Sequence, residues 1–292
     1  YAWWMTSTSE TPTIHFLGFS IARPLENGSV TRIFAAERLY NFPLGILAIS
    51  IATAVFPLFS RYASRNDIAG LREATNRALR LCGFLAIPAG VGLIVVAEPT
   101  IATIYRSGKF QSGDVAGSAY ILRLYCLGMW AYFCNHILLR VFFSQQDVRT
   151  PLKVSIVRGI VNILLVAMLV FTPLRAGAIG LATALTSTAN ALVLIWVLRS
   201  RWGRLGFKRI AVSLVKTTLA TAVMAGAIWA TWRYAWPALQ QLHPALLQDW
   251  ATHFTPAVIL LGVCVIVGVI AYFLTILVLR CEEFQELRKA KK

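Results

Sequence analysis

A chain of 292 residues that is 58% hydrophobic and 14% charged is too apolar for an ordinary soluble domain, in which about half of the residues are apolar and about a quarter charged. Its mean hydropathy is +0.66. A net charge of +16 would point to nucleic acid in a soluble protein, but no soluble segment interleaves a basic patch with stacking aromatics, so no nucleic-acid partner is expected.

The apolar residues gather into seven stretches, over residues 39–60, 81–97, 119–139, 159–172, 177–198, 210–236 and 254–279. A helix crosses a hydrocarbon core of about 30 Å with about 20 such residues. Lipid offers no hydrogen bonds to the backbone, so spans of this length without strict alternation must be helical. The sequence therefore predicts an all-α, polytopic helical membrane protein with about seven full transmembrane helices plus a partial one at the N-terminus. A β-barrel is excluded.

Residues 1–24 read as an irregular or truncated first transmembrane segment, because the apolar run Thr13 to Ala22 covers only about half a membrane as a helix. Asn27-Gly28-Ser29 fits a glycosylation sequon and equally a loop turn, the reading preferred here. In the first full span Arg38, Asn41, Gly45, Ala48 and Ala52 recur at helical spacing as one small and polar stripe. A charge on such a face must look into the bundle or a wet cavity. Arg38 is thus a candidate ligand contact, the alternative being an arginine that snorkels to the outer interface. Glu37, its neighbour, lies on a different helix face.

Asp67 to Arg80 reads as an amphipathic helix at the membrane surface, with Ile68, Leu71, Ala74 and Ala78 on one side and Arg72, Arg77 and Arg80 around it. The span from 119 to 143 carries Arg123, His136 and Arg140; His136 is either a cavity donor or a packed, hydrogen-bonded core histidine. Gln145 to Lys153 reads as a tight polar turn closed by Thr150-Pro151. Arg158 and Asn162, four apart, share a face, and Gly180, Ala184, Thr188 and Ala191 form a close-packing stripe. The last two spans are expected to pack outside the bundle made by the earlier five. Three regions result: residues 1–24, a bundle over 25–209, and two additional helices with a basic tail over 210–292.

Nineteen of the 28 Lys and Arg lie in four clusters, 61–80, 140–158, 199–209 and 280–292, each separated from the next by two apolar stretches. All four therefore lie on one face, the cytoplasmic one by the positive-inside rule, and the C-terminus is cytoplasmic. Anionic lipid headgroups account for the surplus. The opposite connections hold Arg106, Lys109 and Arg175, and the tryptophans lie mainly near span ends. Five scattered cysteines and four histidines show no ligand spacing, so no metal site is expected. No segment resembles a Walker loop, a metal-binding His pair or a nucleophile elbow. Neither a cofactor nor an enzymatic activity is expected.

The residues Ala36-Glu37-Arg38-Leu39-Tyr40-Asn41-Phe42-Pro43-Leu44-Gly45, Ala52-Thr53 and Pro57-Leu58-Phe59-Ser60-Arg61 resemble a signature of the MurJ/MviN family, bacterial lipid II flippases of the multidrug/oligosaccharidyl-lipid/polysaccharide exporter superfamily. Tyr105 to Phe110, Tyr125 to Gly128, Phe142 to Pro151 and Gly177 to Ala182 match further family positions in order. The resemblance runs from about Leu25 to the end and weakens after residue 210.

The resemblance implies two six-helix lobes plus two added helices, with alternating access around a cationic cavity. This chain would hold the second lobe and the added pair, and its first partner is the absent N-terminal lobe. Arg38 matches a cavity arginine of the family; Glu37 replaces the usual Asp, and His136 stands where Lys is common. Arg38, Asn41, Arg158, Asn162 and His136 are the candidate substrate-binding residues. The implied function is flipping of a lipid-linked peptidoglycan precursor, lipid II, across the bacterial inner membrane, with membrane lipids as further partners. The alternatives are export of another lipid-linked glycan, drug/cation antiport, or a non-transporting scaffold for cell-wall synthesis proteins.

Overall fold

The computed structural model describes residues 13–16, 19–22, 25–105, 110–203, 206–242 and 254–279. Among them, helices dominate. The exception is an antiparallel pair, β1 (Thr13–Phe16) and β2 (Phe19–Ala22), with Thr13 opposite Ala22. This corrects the partial helix expected there: two short runs of β-branched and aromatic residues flank Leu17-Gly18, a spacing that suits strand pairing.

The first membrane-crossing helix is longer than its apolar run. Gly28, at φ +82°, makes the turn that launches α1 (Ser29–Pro43), which continues through a π-helical turn, Leu44–Ala48, into α2 (Ile49–Ser64). Pro43 has no N–H to give the helical ladder, and the ladder widens directly after it. The widened turn shifts the register. Ala48 and Ala52 are buried whereas Arg38, Asn41 and Gly45 are exposed, so the single stripe read from the sequence is split in two.

Asp67 caps the next helix by accepting from the Gly70 N–H at 2.8 Å. That helix, α3 (Ile68–Val95), is continuous over 28 residues. The separate surface helix expected over 67–80 is thus its first half: Leu71, Ala74, Thr75, Asn76 and Ala78 are buried, and so is Arg80, at 3% exposure. After α4 (Ala97–Tyr105), α5 (Ser112–Cys126) and α6 (Met129–Ser144) follow as a pair bent by 47°. Gly128 lies at the bend, and a β-carbon there would meet the Ala184 Cα at 2.7 Å.

Then come α7 (Arg149–Leu169), α8 (Gly177–Trp202), α9 (Phe207–Leu242) and α10 (Phe254–Leu279). Asp147 accepts from the Thr150 N–H at 3.0 Å and from its hydroxyl at 2.7 Å. Thr150-Pro151 therefore opens α7 instead of closing a turn; proline suits a first helical turn because its missing N–H is unneeded there. Among the described residues, up to seven spans are long and apolar enough to cross a membrane if the bent pair is counted as one, matching the number read from the sequence.

Helices α1 to α8 share one core, in which α1 packs on α5, α3 on α6, and α8 on α5, α6 and α7. A second apolar cluster joins Phe84 and Val96 to Ala220, Met224 and Ile228 of α9 and to Leu260, Cys264, Tyr272 and Ile276 of α10. The last two helices do pack outside, against α3. The basic turns collect at one end: Arg201 bonds Asp147 at 2.7 Å, Arg209 reaches Glu73 at 3.9 Å, and Lys216 donates to the Leu279 carbonyl at 3.2 Å. At the other end Arg32 bonds Asp114 at 2.8 Å and Glu26 at 3.4 Å, and Glu26 also pairs with Arg175. Arg106, Lys109 and the tail cluster lie outside the described residues.

Candidate functional site

One cavity follows from how α1, α7 and α8 fail to close on one another. Gly180 brings α8 close to α5, where a β-carbon would sit 3.0 Å from the Ile121 carbonyl oxygen. Helix α7 packs mainly on α8. The space left among α1, α5, α7 and α8 is about 450 Å³ and is lined by Glu37, Tyr40, Tyr125, Arg158, Asn162 and Thr183, with apolar residues from α1 and Ile179.

Arg158 and Asn162 share the face of α7 turned to α8, as their spacing predicts. Arg158 Nη1 donates to Ser187 Oγ at 3.3 Å, and Asn162 Nδ2 donates to Thr186 Oγ1 at 3.1 Å. The polar chain continues inward: Asn135 Nδ2 donates to the Ser187 carbonyl at 3.0 Å, and Asn190 Nδ2 donates to Asn135 Oδ1 at 2.7 Å. Interhelical bonds of this kind contribute about 0.6 kcal/mol each in a membrane bundle. They hold three helices in register and aim Arg158 along the cavity wall.

The other wall is aromatic. Tyr40 stacks on Tyr125 with ring centroids 4.5 Å apart and lies 5.4 Å from Tyr132. Glu37, one turn before Tyr40, adds a carboxylate. The cavity thus offers one cation, one anion, an amide, hydroxyls and a ring platform, suited to a polar, charge-bearing ligand.

The five sequence-predicted residues do not converge. Arg158 and Asn162 line the cavity; by sequence Arg158 belongs to the basic cluster 140–158, but it lies well inside α7. Arg38 and Asn41 are exposed on another face of α1, and Arg38 makes no hydrogen bond or ion pair among the described residues. His136 is half-buried on α6 and lines no part of the cavity. Arg140, four residues on, stands over the Phe56 ring at 5.6 Å. The sequence reading passed over Glu37, Tyr40 and Tyr125. The spacing of Ile33, Glu37 and Tyr40 puts them on one helix face, and that signal was available.

A profile of the family described as lipid II flippase MurJ matches residues 4–241. A probable lipid II flippase MurJ of Haemophilus influenzae is 29% identical over 215 residues, 72% of this chain and 42% of that protein. The Bdellovibrio bacteriovorus protein of the same description is 28% identical over 273 residues, 93% of this chain and 49% of the relative. The chain thus spans about half the length of the curated relatives it matches. A solved structure described as lipid II flippase MurJ in an inward closed conformation superposes with a TM-score of 0.66 at 23% identity, covering 86% of this chain and 47% of that one.

Proposed function

The chain belongs to the lipid II flippase MurJ family, and on that footing we propose that it is one lobe, residues 25–209, and two accessory helices, residues 210–292, of a transporter that carries lipid II to the outer leaflet. It is a multi-pass protein of the bacterial inner membrane, and a flippase moves its substrate without covalent chemistry. The basic turns face the cytoplasm in this reading, and so does the C-terminus.

Arg38 carries the proposal. It stands exposed on α1 without a partner among the described residues, beside Asn41 and Gly45. Arg38 borders the apolar run 39–60, where a charge turned to lipid is disfavoured, though by less than the about 2.5–3.5 kcal/mol of a helix centre. That face therefore belongs against a wet cavity, across which an N-terminal lobe would sit. A lipid-linked precursor presents a diphosphate, which arginine meets with paired, charge-assisted hydrogen bonds. Outward movement of an anionic headgroup gains about 2.3 kcal/mol per charge per 100 mV of inside-negative potential. Arg158 and Asn162 would engage polar parts of the same substrate from the neighbouring cavity.

Glu37 favours a second reading, cation-coupled transport, because it places an acid in that cavity. The test is native mass spectrometry of the detergent-purified chain with lipid II and undecaprenyl phosphate, for wild type and Arg38→Ala. Selective retention of lipid II that the variant loses is the expected result. Equal retention of the two lipids, or an unaffected variant, refutes a headgroup site on Arg38.

A further inference from the structure

A second cavity, of about 300 Å³, lies where the end of α3, the start of α4 and α9 come together, apart from the one that holds Arg158. Its apolar wall includes Val95, Val96 and Ile228, and its two charged side chains are Arg123 and Glu98. Trp229 and Trp232, three residues apart and so on one side of α9, complete it.

The two charges are held near each other without being joined. Arg123 Nε donates to the Ile94 carbonyl at 3.3 Å, which fixes the guanidinium. Its Nη2 is 3.7 Å from Glu98 Oε2, too long for a hydrogen bond. Nη1 meets no acceptor among the described residues. The side chains are 43% and 55% exposed, and Trp229 is 60% exposed. The cavity lies at the end of α3 remote from the basic turns, where the apolar run stops. Tryptophan belongs at that depth, with its ring among headgroups.

We propose that this cavity holds the phosphoethanolamine headgroup of a membrane phospholipid, with the phosphate on Arg123 and the ammonium between Glu98 and the tryptophan rings. A purely anionic headgroup would meet Arg123 but be repelled by Glu98. A purely cationic ligand would meet the reverse. A headgroup with a phosphodiester and a primary ammonium satisfies both, the first through charge-assisted bonds and the second through carboxylate and ring face. Below Trp229 on the same face of α9, Gly226 and Ala222 are exposed and small, which leaves a path for an acyl chain.

The test adds equal amounts of dioleoyl phosphatidylethanolamine and dioleoyl phosphatidylglycerol to the full chain in detergent and reads bound lipid by native mass spectrometry. The ethanolamine lipid is expected to be retained about tenfold more, the scale of one charge-assisted contact. Arg123→Gln and Glu98→Gln should each abolish the preference. The exchange Arg123→Glu with Glu98→Arg should restore part of it, which separates loss of the charges from loss of the fold. Equal retention by the wild type, preference for the glycerol lipid, or a preference that survives Glu98→Gln overturns the assignment.

Discussion

Glu37 and Arg38 are adjacent in the chain and serve different surroundings: the carboxylate lines the cavity among α1, α5, α7 and α8, while the guanidinium stands exposed on another side of the same helix. A step of one residue rotates a side chain by about 100° around a helix. That rotation separates an acid that can answer a cation from a base that can answer a phosphate.

Substitution should separate the two roles. Arg38→Ala is expected to lower lipid II retention about tenfold or more, as loss of a charge-assisted contact would. Glu37→Gln should leave retention within about twofold, because the diphosphate is not its ligand. A Glu37→Gln variant that loses lipid II as completely as Arg38→Ala would place both on one site.

Two glycines should respond in opposite ways. A β-carbon at Gly128 meets the Ala184 backbone at 2.7 Å, while one at Gly226 meets nothing within 4 Å. Gly128→Ala should destabilise by about 1–3 kcal/mol through overpacking at the bend. Gly226→Ala should be neutral or stabilise by up to about 1 kcal/mol, since alanine loses less backbone freedom in a helix. Thermal unfolding in detergent distinguishes them.

The turn between α6 and α7 should be acid-sensitive. Burial pushes the Asp147 carboxyl up, but bonds from the Thr150 hydroxyl and N–H and from Arg201 outweigh it and hold the group at about 2, below the ordinary 3.8. Because the folded value is the lower one, the stabilisation is complete above the ordinary value and vanishes as pH falls through about 2. It amounts to about 2 kcal/mol. Wild type should lose that much between pH 5 and pH 2 relative to Asp147→Asn, measured by chemical unfolding; parallel losses would show that the latch contributes nothing.

The accessory pair should loosen when one hydroxyl is removed. Tyr272 donates to the Phe84 carbonyl at 2.5 Å from inside the second apolar cluster. Tyr272→Phe is expected to cost about 1 kcal/mol and to raise hydrogen exchange in α10 before that in α5 or α6. Uniform exchange across all helices would mean that the cores unfold together.

The number of spans and the outer position of the last two were legible because burying apolar length in lipid leaves few alternatives. So were the facing pair Arg158 and Asn162 and the close-packing stripe on α8, which periodicity alone displays. What was not legible depends on partners distant in sequence. Arg80 looked like a surface charge because four other arginines lie near it, yet α3 carries it into the interior. The split of the Arg38 stripe from Ala48 and Ala52 needed the widened turn after Pro43, and a proline alone does not say whether a helix will kink, stop or widen. His136 fits either a cavity donor or a packed core histidine by its place in the span, and only packing shows it apart from the Arg158 cavity.

Helix α3 is shared by both apolar clusters and packs on α6 as well as on α9. In mechanical terms it is an axle. Any tilt of the bundle that carries α3 must carry α9 and α10 along, since the pair is seated on α3 and Tyr272 is tied to its backbone. The Trp229 cavity, built on the end of α3 and on α9, would then travel with that rod as one piece.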